Sequence, residues 1–287
     1  MCKIELMDNT AYHPYNQVDR HRSVGQIIRQ YSSNKNSIYQ LALSQIAVPK
    51  GAKVLDLGCG YGQFTHQLLQ DCTATIECQG IDLNAANDAA YRALLARTNT
   101  AGEFTHGAVD LIRSYPGQSY HLILCGYALY YFVALIPEIA RILKPGGQFV
   151  TITHSIHSHR EFFNAIRKAA ELCRKFTGEK LVFHNALRHF SAENASSILS
   201  QSFFSVRKIE YDNCLTFSAE DIGQYFEYMD FKLDLLLRSN STNRSQKESF
   251  RQCLRAGIQG QVCKNGKYTL NKNDAIFICS NGGESND

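Results

Sequence analysis

A short apolar strand that runs into three alternating glycines is the feature that most restricts the fold of this chain. Residues 53–57 read KVLDL, and Gly58, Gly60 and Gly62 follow before a helical stretch that begins at Gln63. Glycine reaches positive φ values without a steric penalty and lets a ligand approach the backbone closely. A strand, a glycine turn and a helix in this order are typical of an open α/β sheet, which binds ligands beyond the carboxyl ends of its strands.

The alternation of strands and helices continues along the chain. Strands are predicted at residues 53–57, 75–81, 103–105, 121–125 and 148–153, and helices at residues 63–69, 85–97 and 136–143. Such alternation predicts βαβ units and therefore a parallel sheet. The carboxyl-terminal half is predicted to contain helices at 160–176, 191–201 and 218–237, strands at 205–211 and 275–279, and a polar linker at 239–246. The last of these strands could join the same sheet.

Charge and cysteine usage restrict the partners and the compartment. Thirty basic and 26 acidic residues give a net charge of +4, and the charges are interspersed. This pattern provides no basic stripe for nucleic acid and no polybasic membrane anchor. The amino terminus shows no signal peptide, and the ten cysteines are scattered without a CxxC pair. We therefore expect a cytoplasmic protein with reduced core thiols and with neither a nucleic-acid nor a membrane partner.

An acidic residue, Asp56, stands two positions before the first glycine. An acid is a poor neighbour for the pyrophosphate that a GxGxxG loop binds, but it suits a ligand with an ammonium group. The segment DLGCGYG resembles the first motif of class I S-adenosylmethionine-dependent methyltransferases, and the likeness covers about residues 50–155. The resemblance implies that Asp56, Gly58, Cys59 and Gly60 surround the amino acid part of S-adenosylmethionine, whose product is S-adenosylhomocysteine.

The end of the second predicted strand resembles the second motif of this family. The segment GIDLN at residues 80–84 places an acid where the strand ends. The resemblance implies that Asp82 and Leu83 contact the cofactor ribose, and a carboxylate can accept hydrogen bonds from two adjacent hydroxyls. In the alternative interpretation, Asp82 is only the N-cap of the predicted helix at residues 85–97.

Three further stretches complete the implied cofactor site. In the third motif, Asp110 contacts the adenine, or backbone groups near Ala108 and Val109 do so instead. Cys125 ends the segment that resembles the family's fourth strand. The sequence YSSN, which begins at Tyr31, is similar to the cap of small-molecule members. Tyr31 could close over the cofactor carboxylate, and a plain amphipathic helix is the competing interpretation.

The residues after the fourth and fifth strands bear on the methyl acceptor. Methyltransferases that act on the amino groups of bases or on glutamine carry an Asn/Asp-Pro-Pro-aromatic box, whereas this chain has CGYA at residues 125–128. We therefore expect a small metabolite, with Tyr127 lining its pocket and His154 acting as a contact or general base. His157 and His159 follow, but no fourth ligand is evident, so no metal is expected.

The resemblance implies a Rossmann-like α/β fold, which is an open, mostly parallel, seven-stranded sheet with helices on both faces and an N-terminal helical cap. We expect residues 1–48 to form the cap or lid and residues 49–287 to form the cofactor-binding core, with residues 155–204 contributing to the substrate pocket. The implied function is methyl transfer to nitrogen or oxygen of a small metabolite, for example in natural-product biosynthesis. RNA or protein methylation, and a cofactor-binding fold without methyl transfer, are the alternatives. The acceptor and the oligomeric state stay open.

Overall fold

The computed structural model of the protein describes residues 17–173, 182–236 and 244–282. The strands are β1 (Ala52–Leu57), β2 (Ile76–Asp82), β3 (Ala101–His106), β4 (Tyr120–Gly126), β5 (Leu143–His154), β6 (Ser205–Tyr211), β7 (Cys214–Ser218), β8 (Lys267–Asn271) and β9 (Asp274–Ser280). The helices are α1 (Val18–Tyr31), α2 (Ile38–Leu43), α3 (Gln63–Asp71), α4 (Asp88–Arg97), α5 (Ile136–Ile142), α6 (Arg160–Cys173), α7 (Val182–His189), α8 (Ala195–Leu199), α9 (Ile222–Leu236) and α10 (Arg244–Asn265).

Seven strands form one sheet in the order β3-β2-β1-β4-β5-β9-β6. The five strands from β1 to β5 are parallel to one another, and β9 runs antiparallel to both β5 and β6. Because β9 is antiparallel, its first residue lies at the carboxyl ends of the parallel strands, and Asp274 pairs with His154 in the register. The prediction of an open, mostly parallel, seven-stranded α/β sheet is confirmed.

The described parts of residues 36–156, 186–211 and 274–287 form a compact unit, here called the sheet unit. Its strands are apolar because both faces of a parallel sheet are covered. Val54, Leu124, Val150 and Ile276 lie within the buried core of this unit, each with at most 1% of its surface exposed. Since β1 and β4 pair side by side, the turns that follow them meet at the same edge of the sheet.

The described parts of residues 1–35, 157–185 and 212–273 form the second unit. It contains the two-stranded antiparallel sheet of β7 and β8. A polar linker was predicted at residues 239–246, of which residues 239–243 lie outside the described residues, and α10 begins at Arg244. Helix formation here follows from an apolar residue at every fourth position, which places one side of α10 in the core of this unit. The residues that it buries are Phe250, Leu254, Ile258 and Val262.

The boundary between the two units falls near residue 35 on the amino-terminal side. Residues 36–48, including α2, group with the sheet unit, whereas α1 groups with the second unit. The role of residues 1–48 as a lid, and that of residues 155–204 in a substrate pocket, stay predictions, and residues 1–16 and 174–181 of these regions lie outside the described residues. No helix in the described ranges is both long enough and apolar enough to cross a membrane.

Candidate functional site

The turn after β1 is held against the end of β2 by backbone hydrogen bonds. The N–H groups of Gly58 and Cys59 both donate to the carbonyl oxygen of Ile81, at 2.8 and 3.1 Å. Gly58 has φ +66°, and a Cβ atom on it would lie 2.6 Å from the Cβ of Ala128. Glycine is therefore needed at position 58 because the turn after β4 approaches the backbone too closely for a side chain.

Gly60 differs from the glycines on either side of it. It also has a positive φ, +53°, but a Cβ atom built on it would meet no atom of the described residues within 4 Å. At Gly62, by contrast, a Cβ atom would lie 2.8 Å from Leu94. Gly58 and Gly62 therefore serve packing, whereas the backbone of Gly60 borders open space at the carboxyl edge of the sheet.

The carboxylate of Asp82 connects the two loops at this edge. Its Oδ2 accepts the N–H of Gly60 at 2.8 Å, and its Oδ1 accepts the N–H of Asn84 at 2.8 Å and the amide of Asn87 at 3.2 Å. Burial raises the pKa of Asp82, although these hydrogen bonds oppose the shift. A carboxylate has about four acceptor positions, so about one is left for a ligand.

The helix that follows β2 is capped by Asn84 and not by Asp82. The short 3-10 helix Ala85–Asn87, which precedes α4, begins after Asn84, whose side chain accepts the N–H of Ala86 at 3.1 Å. Asn84 is therefore the N-cap, and Asp82 instead holds the glycine turn. Sequence reasoning did not single out Asn84 or Asn87, although Asn is among the residues that cap helices well.

Asp56 lies beneath the glycine turn, with 1% of its surface exposed. Its Oδ2 accepts the hydroxyl of Thr65 on α3 at 2.7 Å, and the same hydroxyl is 3.1 Å from the hydroxyl of Tyr91. Burial raises the pKa of Asp56 to about 7, and the bonds from Thr65 work against that rise. Cys59 is also buried, and burial holds the pKa of its thiol well above the usual range.

The other predicted cofactor residues of the sheet unit lie at the same edge in differing environments. The N–H of Gly107 donates to the backbone carbonyl of Asp82 at 3.0 Å, which brings the turn after β3 next to β2. Ala108 and Val109 are half-buried, and Asp110 is exposed on a short 3-10 helix. Leu83, which was also predicted to contact the cofactor, is half-buried, and Cys125 is fully buried.

One carboxylate joins the two residues predicted to face the acceptor. The hydroxyl of Tyr127 donates to Oδ2 of Asp274 at 2.7 Å, and Nδ1 of His154 lies 2.6 Å from Oδ1 of the same group. The rings of Tyr127 and His154 are 4.6 Å apart, centroid to centroid. Burial and the charge of Asp274 hold the pKa of Tyr127 well above its ordinary value. Tyr127 also has φ +58°, an uncommon conformation that tends to occur at functional sites.

Asp274 is the member of this cluster that sequence reasoning missed. Its burial, with 2% of its surface exposed, is unusual for an acid. The signal for it in the sequence was indirect, because the predicted strand at residues 275–279, which could join the same sheet, begins directly after Asp274. An antiparallel pairing with β5 would have placed Asp274 beside His154, but the direction of the strand was not predicted.

Two other predicted features lie in the second unit. The hydroxyl of Tyr31 donates to Oδ1 of Asp221 at 3.0 Å, and burial together with this carboxylate raises the pKa of Tyr31. The ring of His159 contacts the hydroxyls of Ser158 and Tyr228. The contact of Tyr31 with the cofactor stays a prediction.

Within the part of the chain that the structure describes, His154 at the end of β5 and the two histidines that follow it do not form a group that could hold a metal ion. His157 is exposed, whereas His159 is buried and directly precedes α6. Throughout residues 17–173, 182–236 and 244–282, no cluster of three histidine, cysteine or acidic side chains has metal-binding geometry. The predicted independence from metal ions stays a prediction.

Comparison with known proteins agrees with this geometry. Residues 54–147 match a family described as a methyltransferase domain. The chain is 31% identical over 112 residues to a demethylmenaquinone methyltransferase of Bacillus licheniformis, a match that covers 38% of this chain and 47% of that protein. A protein of the same name from Staphylococcus aureus is 29% identical over 163 residues, which is 52% of this chain and 64% of the relative. The matches thus span less than two thirds of either relative.

The fold is shared with a solved structure over almost the whole chain. The YcgJ protein of Bacillus subtilis superposes with a TM-score of 0.53, covering 92% of this chain and 100% of that protein, at 16% identity. At this identity the likeness concerns the fold alone. The chain therefore shares the fold of that structure, and the predicted resemblance to class I methyltransferases is confirmed by the methyltransferase domain that residues 54–147 match.

Proposed function

We propose that this chain, which has the class I methyltransferase fold and a methyltransferase domain at residues 54–147, transfers a methyl group from S-adenosylmethionine to a small metabolite. The acceptor atom is proposed to be nitrogen or oxygen, and natural-product biosynthesis is the proposed setting. The observation that carries the proposal is the open backbone of Gly60 beside the carboxylate of Asp82.

The residues at the carboxyl edge of the sheet fit this cofactor. A Cβ atom at Gly60 would fill open space, so the absence of a side chain leaves room for a ligand against the backbone. Asp82 has about one acceptor position left for a ribose hydroxyl. Asp56 would face the ammonium group with a carboxyl that ionises near neutral pH, since its pKa is about 7. We place the adenine near Ala108, Val109 and Asp110.

S-adenosylmethionine supplies a methyl group on a positively charged sulfur, which makes the methyl carbon an electrophile. The chain's own residues would align the acceptor and exclude water, and alignment is a large source of rate enhancement. Tyr127 follows β4, and His154 ends the adjacent parallel strand β5. The ring of Tyr127 is 4.6 Å from that of His154 and 6.4 Å from that of Tyr39, so the three side chains form an aromatic cluster. Small-molecule pockets are commonly lined by aromatic side chains with few polar groups, which supports a metabolite as the acceptor.

Binding and transfer are tested separately. Calorimetric titration with S-adenosylmethionine and S-adenosylhomocysteine measures cofactor binding, and methyl-labelled donor with a metabolite library measures transfer. Demethylmenaquinone belongs in that library because two relatives carry its name. Binding without transfer to any acceptor would favour a fold that has lost the activity. Labelling of RNA or protein instead, with an RNA affinity that falls steeply with salt, would contradict the small-molecule proposal.

A further inference from the structure

We propose that Asp274 is a positioning residue for His154, and that the site accepts a molecule with an ionisable hydroxyl group, such as a phenol or hydroquinone. In this arrangement Asp274 holds the imidazole with its proton on Nδ1, which leaves Nε2 as the basic nitrogen. The inference rests on the proposed function and specifies its acceptor class.

The position of Asp274 is fixed by the sheet. It pairs with His154 in the antiparallel register of β5 and β9, and with Tyr211 in that of β9 and β6. His154 and Asp274 are both buried, with 4% and 2% of their surfaces exposed. A side-chain pair that is built on paired strands and buried is held more rigidly than one on loops, as a positioning contact requires.

An ionised carboxylate at Asp274 accounts for both of its contacts, because each of its oxygens faces a group that can donate a hydrogen bond. Tyr127 donates to one oxygen of Asp274, and the 2.6 Å contact joins the other oxygen to Nδ1 of His154. An ionised carboxylate only accepts hydrogen bonds, so the nitrogen that faces it carries the proton. When one ring nitrogen is fixed as a donor in this way, the lone pair of neutral imidazole lies on the other nitrogen.

Tyr127 stabilises this arrangement from the opposite side. Its hydroxyl occupies Oδ2, which leaves Oδ1 for His154, and its ring packs against the imidazole. The backbone at Tyr127 has φ +58°, and its N–H donates to the carbonyl of Ile152 on β5 at 2.9 Å. The strained turn therefore ties Tyr127 to the same strand that carries His154.

A positioned base favours one class of acceptor. A phenolic hydroxyl has a pKa of about 10 and is protonated at neutral pH, whereas a neutral amine already has a lone pair for attack. In the proposed step the acceptor O–H gives its proton to Nε2 of His154, and the oxygen electron pair forms the bond to the methyl carbon. The carbon–sulfur bond of the donor breaks, and its electron pair stays on the sulfur of S-adenosylhomocysteine. His154 then releases the proton to solvent.

The tautomer of His154 tests the role of Asp274 without any substrate. The full chain is labelled with ¹⁵N-histidine, and the variant His154→Gln identifies the resonances of this ring. We expect the wild type to carry its proton on Nδ1 when the ring is neutral. In Asp274→Asn the side-chain amide can donate to Nδ1, so we expect the proton to move to Nε2. A wild-type protein with the proton on Nε2, or an unchanged tautomer in Asp274→Asn, would overturn the proposal.

Two variants serve as controls for this measurement. Thr153→Val changes the neighbouring residue of β5, whose hydroxyl is buried and has no hydrogen-bond partner among the described side chains, so it should leave the tautomer unchanged. Tyr127→Phe removes the second partner of Asp274 but keeps the contact with His154, and should also keep the proton on Nδ1. If Asp274→Asn does not fold, the wild-type tautomer alone decides.

Activity then tests the acceptor class, with 1-naphthol and 1-naphthylamine as probes that differ in the acceptor atom. We expect methyl transfer to the naphthol, and a fall in kcat of about 10²–10⁴-fold in both Asp274→Asn and His154→Gln, without a further fall in the double variant. The affinity for S-adenosylhomocysteine should change by less than about threefold, since neither side chain is assigned to the cofactor. Transfer to the amine only, or to neither probe by a protein that binds the cofactor, would overturn the acceptor class. Absence of cofactor binding would refute the proposed function, whereas the tautomer would still decide the role of Asp274.

Discussion

The carboxylate of Asp82 accepts the backbone N–H of Gly60 at 2.8 Å, so the acid that ends β2 holds the turn that follows β1. Two residues that are 22 positions apart thereby form one structure at the carboxyl edge of the sheet. The bond orients the Gly60 backbone toward the open space that we assign to the cofactor. Asp82 therefore has a structural role in addition to any contact with ribose.

Substitution of Asp82 by alanine should affect both roles. Loss of a hydrogen bond to a charged acceptor costs about 1.5–3 kcal/mol, so affinity for S-adenosylhomocysteine should fall about 10- to 150-fold. The donors of Gly60, Asn84 and Asn87 would also lose their partner, and we expect the free energy of unfolding to fall by about 1–3 kcal/mol. Calorimetric titration and urea unfolding measure the two effects.

The control for Asp82→Ala is Asp88→Asn. Asp88 is an acid at the start of α4, and its contact is an ion pair with Arg92 on the helix surface. We expect wild-type cofactor affinity in this variant. Wild-type affinity in Asp82→Ala would mean that Asp82 only supports the turn.

The glycines of the turn should respond differently to alanine. In Gly58→Ala the new Cβ would lie 2.6 Å from that of Ala128, so we expect a loss of stability of about 1–3 kcal/mol from overpacking and further loss from the positive φ. In Gly60→Ala no atom of the described residues lies within 4 Å of the new Cβ, so backbone strain should lower the free energy of unfolding by only about 1–2 kcal/mol, while cofactor affinity falls strongly. Thermal unfolding and calorimetry separate the two outcomes.

Gly146→Ala is the matched control for Gly60→Ala. Gly146 also has a positive φ, +70°, and open space at its Cβ position, but it lies at the start of β5, away from the carboxyl edge. Its alanine variant should show the same strain with unchanged cofactor affinity. Equal affinity in the Gly60 and Gly146 variants would mean that the cofactor does not approach Gly60.

The cofactor half of the candidate site was predictable because it is encoded locally. Asp56, Gly60 and Asp82 lie at or just beyond the ends of adjacent strands, and the order of parallel strands brings those ends together. Asp274 was not predictable in this way. It lies 120 positions from His154, and their contact depends on the antiparallel direction and register of β9.

The second unit was the least predictable part of the fold. Strands β7 and β8 pair only with each other within their sheet, so no alternation with helices marks them in the sequence. Helix α10 is rich in polar residues, so the apolar residue at every fourth position was not recognised as the buried side of a helix. The number of hydrogen bonds that Asp82 accepts could not be predicted either, because it depends on the path of the backbone after β2, which brings Asn84 and Asn87 next to the carboxylate.

Chelation should leave the protein active. The ring of His154 contacts Asp274, that of His159 contacts Ser158 and Tyr228, and His157 is exposed. We expect cofactor affinity and methyl transfer to be unchanged after dialysis against EDTA. Inactivation by EDTA that is reversed by a divalent cation would show that a metal site exists.

The buried carboxyl of Asp56 should make the stability of the cofactor-free protein depend on pH. Its pKa is about 7 when folded, against 3.8 for an exposed carboxyl, so the folded state holds a proton that the unfolded state has lost. The stabilisation is complete below about pH 4 and is lost as pH rises to about 7, by up to about 4 kcal/mol. Urea unfolding between pH 4 and 8 should show this decline in the wild type.

Two variants test that assignment. Asp56→Asn cannot titrate, so this part of the decline should disappear. Thr65→Val removes a hydroxyl that lowers the pKa of Asp56, so its decline should extend to higher pH than in the wild type. A wild-type slope that persists in Asp56→Asn would assign the effect to another group.

The same carboxyl should make cofactor binding depend on pH in the opposite direction. The ammonium group of S-adenosylhomocysteine favours the ionised form of Asp56, so binding must remove the proton that the folded protein holds below pH 7. Affinity should therefore rise about tenfold per pH unit up to about pH 7 and level off above it. The matched ligand is 5′-methylthioadenosine, which lacks the amino acid part and should bind with little pH dependence. In Asp56→Asn, S-adenosylhomocysteine should bind weakly at every pH between 5 and 8. If both ligands show the same pH profile in the wild type, the ammonium group does not bind near Asp56, and the cofactor's amino acid part must lie elsewhere along the edge of the sheet.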